Sequence, residues 1–163
     1  MKRLILLMLA SLMLLVSSAY AAERPNDSNA LKGVETGKVV FDINMEQPKK
    51  MTLYLMVIKE TVNDLKRQGV KPDVILAFRG KSVLLLSKNR DQMELTDFEH
   101  LDKVAAQVAE LQKLGVRVEA CSVATRLFKV DNGKLLQGVV PVGNTFVSLT
   151  GYHAQGYASI PIY

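Results

Sequence analysis

The sequence predicts an α/β domain of three layers (α/β/α), with a mostly parallel sheet of about five strands between two layers of helices. Short runs rich in β-branched residues alternate along the chain with longer segments in which apolar residues recur at helical spacing. Parallel strands need crossover connections, and helical crossovers cover both faces of the sheet. The alternation therefore indicates a sheet with helices on both sides.

The first 21 residues have the features of a secretory signal peptide. Lys2 and Arg3 precede an almost uninterrupted apolar run over residues 4–16, and an Ala-x-Ala site follows at 19–21. We expect cleavage after Ala21 and a periplasmic mature protein. The apolar run is shorter than the roughly 20 residues of a membrane span, so we expect no stable span after cleavage; a retained N-terminal anchor is the alternative.

The composition of the mature chain predicts a flexible segment followed by one folded domain. Its charge gives no support for a nucleic-acid partner. Without Lys2 and Arg3, the 21 basic residues fall to 19 against 16 acidic ones, and the two signs are interleaved. Residues 22–37 are polar and rich in Asn, Ser and Gly. We expect a flexible lead-in there and one folded domain over 38–163.

The first half of the domain is predicted to be strand, helix and strand. Adjacent apolar residues across 38–43 indicate a strand buried on both faces. Apolar residues then recur at helical spacing from Met51 until Gly69 ends the segment, and a second strand covers 73–78. The four apolar residues 83–86 fit a short helix or a brief strand, and their number does not decide between the two.

The clearest helix of the sequence follows a polar surface connection. Thr96 and Glu99 have the spacing of a capping box, in which each side chain bonds the backbone N–H of the other. The helix that they open is amphipathic up to Gly115. A strand over 116–121 follows and ends at Cys121.

The remaining elements are shorter. A helical turn is predicted over 122–128, followed by a turn at Asp131–Gly133 and a fourth strand at 139–142. A helical segment runs from Asn144 to about residue 155, where a glycine ends it, and a last short strand covers 157–160.

Cys121 is the only cysteine of the sequence and the first candidate for chemistry. In open α/β sheets, reactive groups collect at the carboxyl ends of strands, and a helix that starts directly after the thiol offers N–H groups that favour the thiolate. We expect Arg126 to add its charge to this stabilisation. In an oxidising compartment a lone thiol is kept for reactivity, paired with another molecule, or buried and inert in the core.

Three polar residues would share the rim of the sheet with Cys121. Asn44, Arg79 and Asn144 follow the first, second and fourth predicted strands. Because the carboxyl ends of parallel strands meet at one edge, these side chains could bind a small anion or polarise a substrate there. The alternative is that the two asparagines cap helices and the arginine is solvated.

Three segments carry a resemblance to a known family. Gly115–Cys121, Val139–Gly143 and Gly156–Ala158, in this order, resemble the DsrE/DsrF-like family, and in detail its exported, single-domain branch. The resemblance implies a compact α/β fold, frequent homo-oligomers and a cysteine that carries sulfur as a persulfide, supplied or removed by a donor or acceptor protein.

Two functions remain open at this point. The first is a periplasmic sulfur carrier or thiol-redox protein that acts through Cys121, as an acceptor or carrier more than as a turnover enzyme. The second is a non-catalytic module that binds a small molecule or assembles with itself, with Cys121 in the core. The tyrosines of the C-terminal tail (Tyr152, Tyr157, Tyr163) offer aromatic surface for such assembly.

The sequence lacks the common motifs for nucleotide binding, serine hydrolase chemistry and zinc binding. The sequence has no glycine-rich dinucleotide or phosphate loop and no G-x-S-x-G nucleophile elbow. His100, His153 and Cys121 lack the spacing of zinc ligands. We therefore expect no cofactor and no metal.

Overall fold

The computed structural model of the protein describes residues 24–163. The predicted signal peptide, 1–21, lies outside these residues. Residues 24–30 form neither helix nor strand, and the chain from Leu31 to Tyr163 forms one compact unit. No helix within 24–163 combines the length and the hydropathy needed to cross a membrane.

Five parallel strands form one sheet in the order β4-β3-β2-β1-β5, which confirms the predicted fold class. The strands are β1 Thr36–Ile43, β2 Lys71–Phe78, β3 Arg117–Cys121, β4 Val140–Val142 and β5 Ala158–Ile162. The helices are α1 Pro48–Arg67, α2 Phe98–Lys113, α3 Ser122–Leu127 and α4 Thr145–Ala154, with 3₁₀ helices at Gly80–Leu86, Leu95–Asp97 and Asn132–Lys134.

Both faces of the sheet are covered, so the central strands are apolar on both sides. Alternate residues of β1 and β2, such as Phe41 and Leu76, enter a large core beneath α1 and α2. The residues between them, such as Val40 and Ile75, enter a smaller core beneath Leu149 of α4. The apolar runs in the sequence of β1 and β2 are unbroken because successive side chains pack into the cores on opposite faces of the sheet.

One local prediction is wrong in the structure, and one open alternative is decided. The capping box at Thr96 is wrong, because a 3₁₀ turn leads into α2 and makes Asp97 the residue before the helix, without a side-chain cap. Glu99 instead pairs with Lys103 one turn along, at 2.6 Å. The apolar run at 83–86 forms the end of the 3₁₀ helix, not a strand.

The start of the domain also differs from the sequence interpretation. β1 begins at Thr36, because Thr36 and Gly37 pair with Lys71 and Pro72 of β2. The sheet therefore takes in the last two residues of the predicted lead-in. All five strands point the same way, so the residues after β1, β2, β3 and β4 meet at one edge.

Candidate functional site

Cys121 lies at that edge, where β3 ends and α3 begins. Its backbone is extended (φ −66°, ψ 114°), and it occupies the position directly before the first residue of α3. The side chain is 5% exposed. Its sulfur accepts a hydrogen bond from the backbone N–H of Thr145, the first residue of α4, at 3.4 Å.

Backbone N–H groups of α3 and α4 lower the pKa of this thiol. Burial raises the pKa of the Cys121 thiol, but the hydrogen bonds outweigh burial and bring the pKa below its ordinary value. They come from the N–H of Thr145, from the N–H groups of Ala124 and Val123 in α3, and from the side chain of Thr145. The fold therefore favours the thiolate, the nucleophilic form of cysteine.

The Thr145 side chain marks the same place. It is fully buried, and within residues 24–163 its hydroxyl has no hydrogen-bond partner of regular geometry, although its interaction with the sulfur helps to lower the thiol pKa. Buried polar groups without partners are rare in folded proteins. The Thr145 hydroxyl is therefore directed by the fold to the buried thiol and to no other partner among the described residues.

A cavity of about 240 Å³ opens beside the sulfur. Its walls are mostly apolar, with one cation and one amide. The lining residues are Arg79, Gly80, Cys121, Val123, Ala124, Leu127, Phe128, Asn144, Thr145 and Phe146. Cys121 is therefore buried from bulk solvent while it faces a space that admits a few heavy atoms.

Arg79 lies in this wall and forms an ion pair with Asp42. Its Nε and Nη2 donate to the two carboxylate oxygens of Asp42 at 2.6 and 3.0 Å. Its guanidinium also lies over the rings of Phe146 and Tyr163, 5.5 and 5.7 Å from their centroids. The bonds to Asp42 raise the pKa of Arg79, against the opposing effect of burial. The alternative of a merely solvated arginine is therefore wrong.

The two asparagines have different positions. Asn144 lines the cavity, but its side-chain oxygen accepts from the N–H of Phe146 at 3.0 Å and caps α4, as the alternative reading expected. Asn44 is not part of the Cys121 cavity and lines a neighbouring crevice of about 460 Å³ together with Lys50 and Lys81. Cys121, Arg79 and Asn144 therefore line one cavity, whereas Asn44 lines the neighbouring crevice.

Arg126 does not belong to the site. Ala124 and Thr125 are the buried residues of α3, so Arg126 points outward; it is exposed and is absent from the cavity wall. The groups that lower the pKa of Cys121 are the N–H groups and the Thr145 side chain described above. The prediction that Arg126 stabilises the thiolate is therefore wrong. Backbone N–H groups of α3 and α4 and the Thr145 side chain lower the pKa of Cys121 instead.

Asp42 and Thr145 were missed by sequence reasoning. Asp42 had a signal, since it is the single charge near the end of an otherwise apolar strand. Thr145 had no such signal in the sequence, because the group that bonds the Cys121 sulfur is a backbone N–H, and the two residues are 24 positions apart in the chain.

Two of the three C-terminal tyrosines, Tyr152 and Tyr157, form hydrogen bonds with side chains of the same domain. The Tyr157 hydroxyl donates to Asp73 at 2.6 Å and accepts from Arg117 at 2.7 Å. The Tyr152 hydroxyl donates to Glu119, and burial together with that carboxylate raises the pKa of Tyr152 to about 12. Of the three tyrosines expected at an interface, only Tyr163 is largely exposed, at 65%.

Metal ligands do not gather in the part of the chain that the structure describes. Residues 24–163 contain no group of three or more His, Cys, Asp or Glu side chains with the geometry to hold a metal ion.

The comparisons with known proteins give a family and the fold. A family model described as the DsrE/DsrF-like family matches residues 38–161. A search of curated proteins gave no match.

Several solved structures share the fold. One is a protein of unknown function, MTH1491 from Methanobacterium thermoautotrophicum, which is 22% identical with a TM-score of 0.62, over 77% of this chain and 99% of that one. The ychN protein from E. coli is 15% identical with a TM-score of 0.52, over 78% and 100% of the two chains. The protein BT1422 of unknown function from Bacteroides thetaiotaomicron is 21% identical with a TM-score of 0.54, over 77% and 94%.

Proposed function

Because the chain belongs to the DsrE/DsrF-like family, we propose that it is a sulfur carrier in which Cys121 takes up sulfane sulfur as a persulfide. Family membership supports a sulfur-relay-like context. The observation that carries the proposal is the hydrogen bond from the first N–H of α4 to the Cys121 sulfur, at a cavity that residues of α3 and α4 line. Such N–H groups supply the stabilisation that a thiolate loses when it leaves water.

The proposed step is a transfer between two persulfides. The Cys121 thiolate attacks the outer sulfur of a donor persulfide, R–S–SH, and a new S–S bond forms as the S–S bond of the donor breaks. The donor leaves as R–S⁻ and takes the proton of the transferred sulfur, which gives Cys121–S–S⁻ and R–SH. No oxidant is needed, and the reverse step delivers the sulfur to an acceptor thiolate.

The cavity suits the product of this step. The negative charge moves outward from the Cys121 sulfur by one atom, toward the cavity wall that carries Arg79. The apolar side chains of Leu127, Phe128 and Phe146 line the same space, and we expect them to disfavour large polar donors. A small donor, or the narrow end of a protein-bound persulfide, fits this space.

The low exposure of Cys121 favours a second candidate function. At 5% exposure the thiol also fits a non-catalytic module in which it is a core residue and the cavity binds a small molecule or stays empty. The two candidates differ in whether the folded protein accepts sulfur at Cys121.

We also propose that the protein works in the periplasm, with a donor or acceptor protein as partner. The support is the signal-peptide pattern of residues 1–21. The intact mass of the protein recovered from a cell-envelope fraction checks it, because the mature chain begins at Ala22. A full-length cytoplasmic species would contradict this location without affecting the chemistry at Cys121.

Sulfur loading tests the carrier function. The purified protein is incubated briefly with inorganic polysulfide, freed of reagent and weighed by intact mass spectrometry. We expect an added mass of about 32 Da for each sulfur atom, removed by a reducing agent and absent in Cys121→Ala.

Two controls distinguish sulfur uptake that depends on the folded site from unspecific uptake by any accessible thiol. The folded protein should load faster than the denatured protein and faster than a small thiol at the same concentration. Loading of the folded protein that is no faster than these controls would contradict the carrier function and favour the binding module.

A further inference from the structure

A second space adjoins the Cys121 cavity. The cavity, of about 240 Å³, and the crevice that Asn44 lines, of about 460 Å³, have two wall residues in common, Gly80 and Phe128. A side chain on Gly80 would point at Asn44, so the glycine keeps side-chain atoms out of this border. The cavity alone is smaller than the range of about 300–1,000 Å³ that small-molecule sites occupy, whereas the two spaces together fall within it. One ligand can therefore reach from the Cys121 sulfur into the crevice.

The crevice carries a cation without a partner. Lys50 lines it, is exposed, and its ammonium has no ion pair or hydrogen bond within residues 24–163. The Asn44 amide in the same wall also has no hydrogen-bond partner in this part of the chain. Lys81 belongs to the wall too, but it pairs with the wall carboxylate of Glu46 at 3.2 Å. The side chains that line the crevice therefore carry a net positive charge and hydrogen-bond donors that are still available.

The start of α1 adds to this positive field. Gln47, directly before the helix, lines the crevice and does not cap the helix with its side chain. The helix dipole favours acidic residues in the first turn, yet this turn has none and carries Lys49 and Lys50 instead. Such departures from a local preference are expected at sites that bind a ligand. The free lysine charge, the unpaired amide and the uncapped helix start all favour an anionic group in the crevice.

We propose that the cavity and the crevice form one site for a small persulfide that carries a carboxylate. The sulfur atoms of the donor enter the cavity at Cys121, and its carboxylate lies in the crevice beside Lys50 and the Asn44 amide. The inference rests on the carrier function proposed above and adds the class of the donor. A new S–S bond forms at Cys121 as the S–S bond of the donor breaks, and the donor leaves as R–S⁻, which takes the proton of the transferred sulfur and keeps its carboxylate.

Two matched donors test this assignment. The probes are the persulfide of glutathione, a tripeptide with two carboxylates, and the persulfide of its diamide, in which carboxamides replace both carboxylates. Loading of Cys121 is followed by intact mass, as an addition of about 32 Da, below saturation and at one low ionic strength. Each rate is divided by the rate of the denatured protein with the same donor, which removes the intrinsic reactivity of the two persulfides.

We expect the wild-type protein to load about fivefold faster from the carboxylate donor than from the diamide, since an exposed charge pair contributes up to about this factor. Lys50→Gln should lose the preference. Glu46→Gln removes the carboxylate of the wall and releases Lys81, so it should increase the preference about twofold or more. Opposite effects of two substitutions in one wall are not expected from a merely structural role.

Lys49→Gln is the matched control. It makes the same change of net charge as Lys50→Gln in the same turn of α1, but Lys49 does not line the crevice. The control should therefore keep the preference within about twofold of the wild type. Lys49, Lys50 and Glu46 are exposed, so all three variants should keep the unfolding midpoint of the wild type.

The outcomes separate this inference from the carrier function. Equal normalised rates for the two donors, or a Lys50→Gln protein that keeps the wild-type preference, would overturn the carboxylate site and leave the carrier function intact. The same holds if inorganic polysulfide loads Cys121 and neither persulfide does. A folded protein that takes up sulfur from none of the three donors would overturn both.

Discussion

Replacing Thr145 by valine should stabilise the fold while it weakens the thiolate. Valine has nearly the shape of threonine and keeps the backbone N–H that bonds the Cys121 sulfur. The hydroxyl that it removes is fully buried and has no regular hydrogen-bond partner within residues 24–163. An unpaired buried hydroxyl costs about 1–3 kcal/mol, and its interaction with the thiol returns part of this.

We therefore expect Thr145→Val to raise the free energy of unfolding by about 1 kcal/mol, or the melting temperature by about 4 °C. The pKa of Cys121 should rise, because one of the groups that lower it has gone. Urea denaturation measures the first effect, and the pH dependence of iodoacetamide alkylation measures the second.

Thr150→Val on the same helix is the matched control. The Thr150 hydroxyl is exposed and donates to the Phe146 carbonyl at 2.8 Å, and Thr150 does not line the Cys121 cavity. It should change stability by less than about 0.5 kcal/mol and leave the thiol pKa alone. A Thr145→Val protein that is clearly destabilised, or that has the wild-type alkylation profile, would refute the reasoning about the hydroxyl.

Three further predictions follow from the same site. Asp42→Asn leaves the guanidinium of Arg79, 18% exposed, without its carboxylate, so urea denaturation should show a loss of about 2 kcal/mol; an unchanged midpoint would contradict a structural ion pair. Gly80→Ala places a Cβ 2.1 Å from the Asn44 Oδ1 at a φ of +56°, so it should cost about 1–2 kcal/mol, and adding Asn44→Ala should recover only the steric part. Because the folded-state pKa of Cys121 is lowered, the stability of the wild type relative to Cys121→Ala should be largest above the unfolded pKa, about 8.5, and should fall away as the pH drops through the folded pKa; a difference independent of pH would count against the lowered pKa.

The regular elements could be predicted because each depends on its own residues. Apolar spacing alone identified α1, α2 and the strand that ends at Cys121, since burial on one or both faces leaves a direct trace in the sequence. The capping box at Thr96 failed for a local reason: the spacing of two side chains does not tell whether a helix starts directly or through a 3₁₀ turn.

The candidate site was predicted only in part because its interactions are distant in the chain. Arg126 was the nearest charge in sequence, but the direction in which α3 packs turns it outward. The groups that do lower the pKa of Cys121 are largely backbone N–H groups, which every residue but proline carries, so no residue type identifies them. The pairing of Asp42 with Arg79 likewise needs the register of β1 and β2, which places these strand ends side by side.

We propose that the fold lowers the pKa of the Cys121 thiol and leaves its sulfur within reach of small reagents. The most direct test is the rate of iodoacetamide alkylation against pH, measured by intact mass for the folded protein and for the same protein in denaturant. We expect the folded protein to react, with its midpoint at a lower pH than that of the unfolded chain. A thiol that reacts only in denaturant, or a folded midpoint above the unfolded one, would contradict the claim.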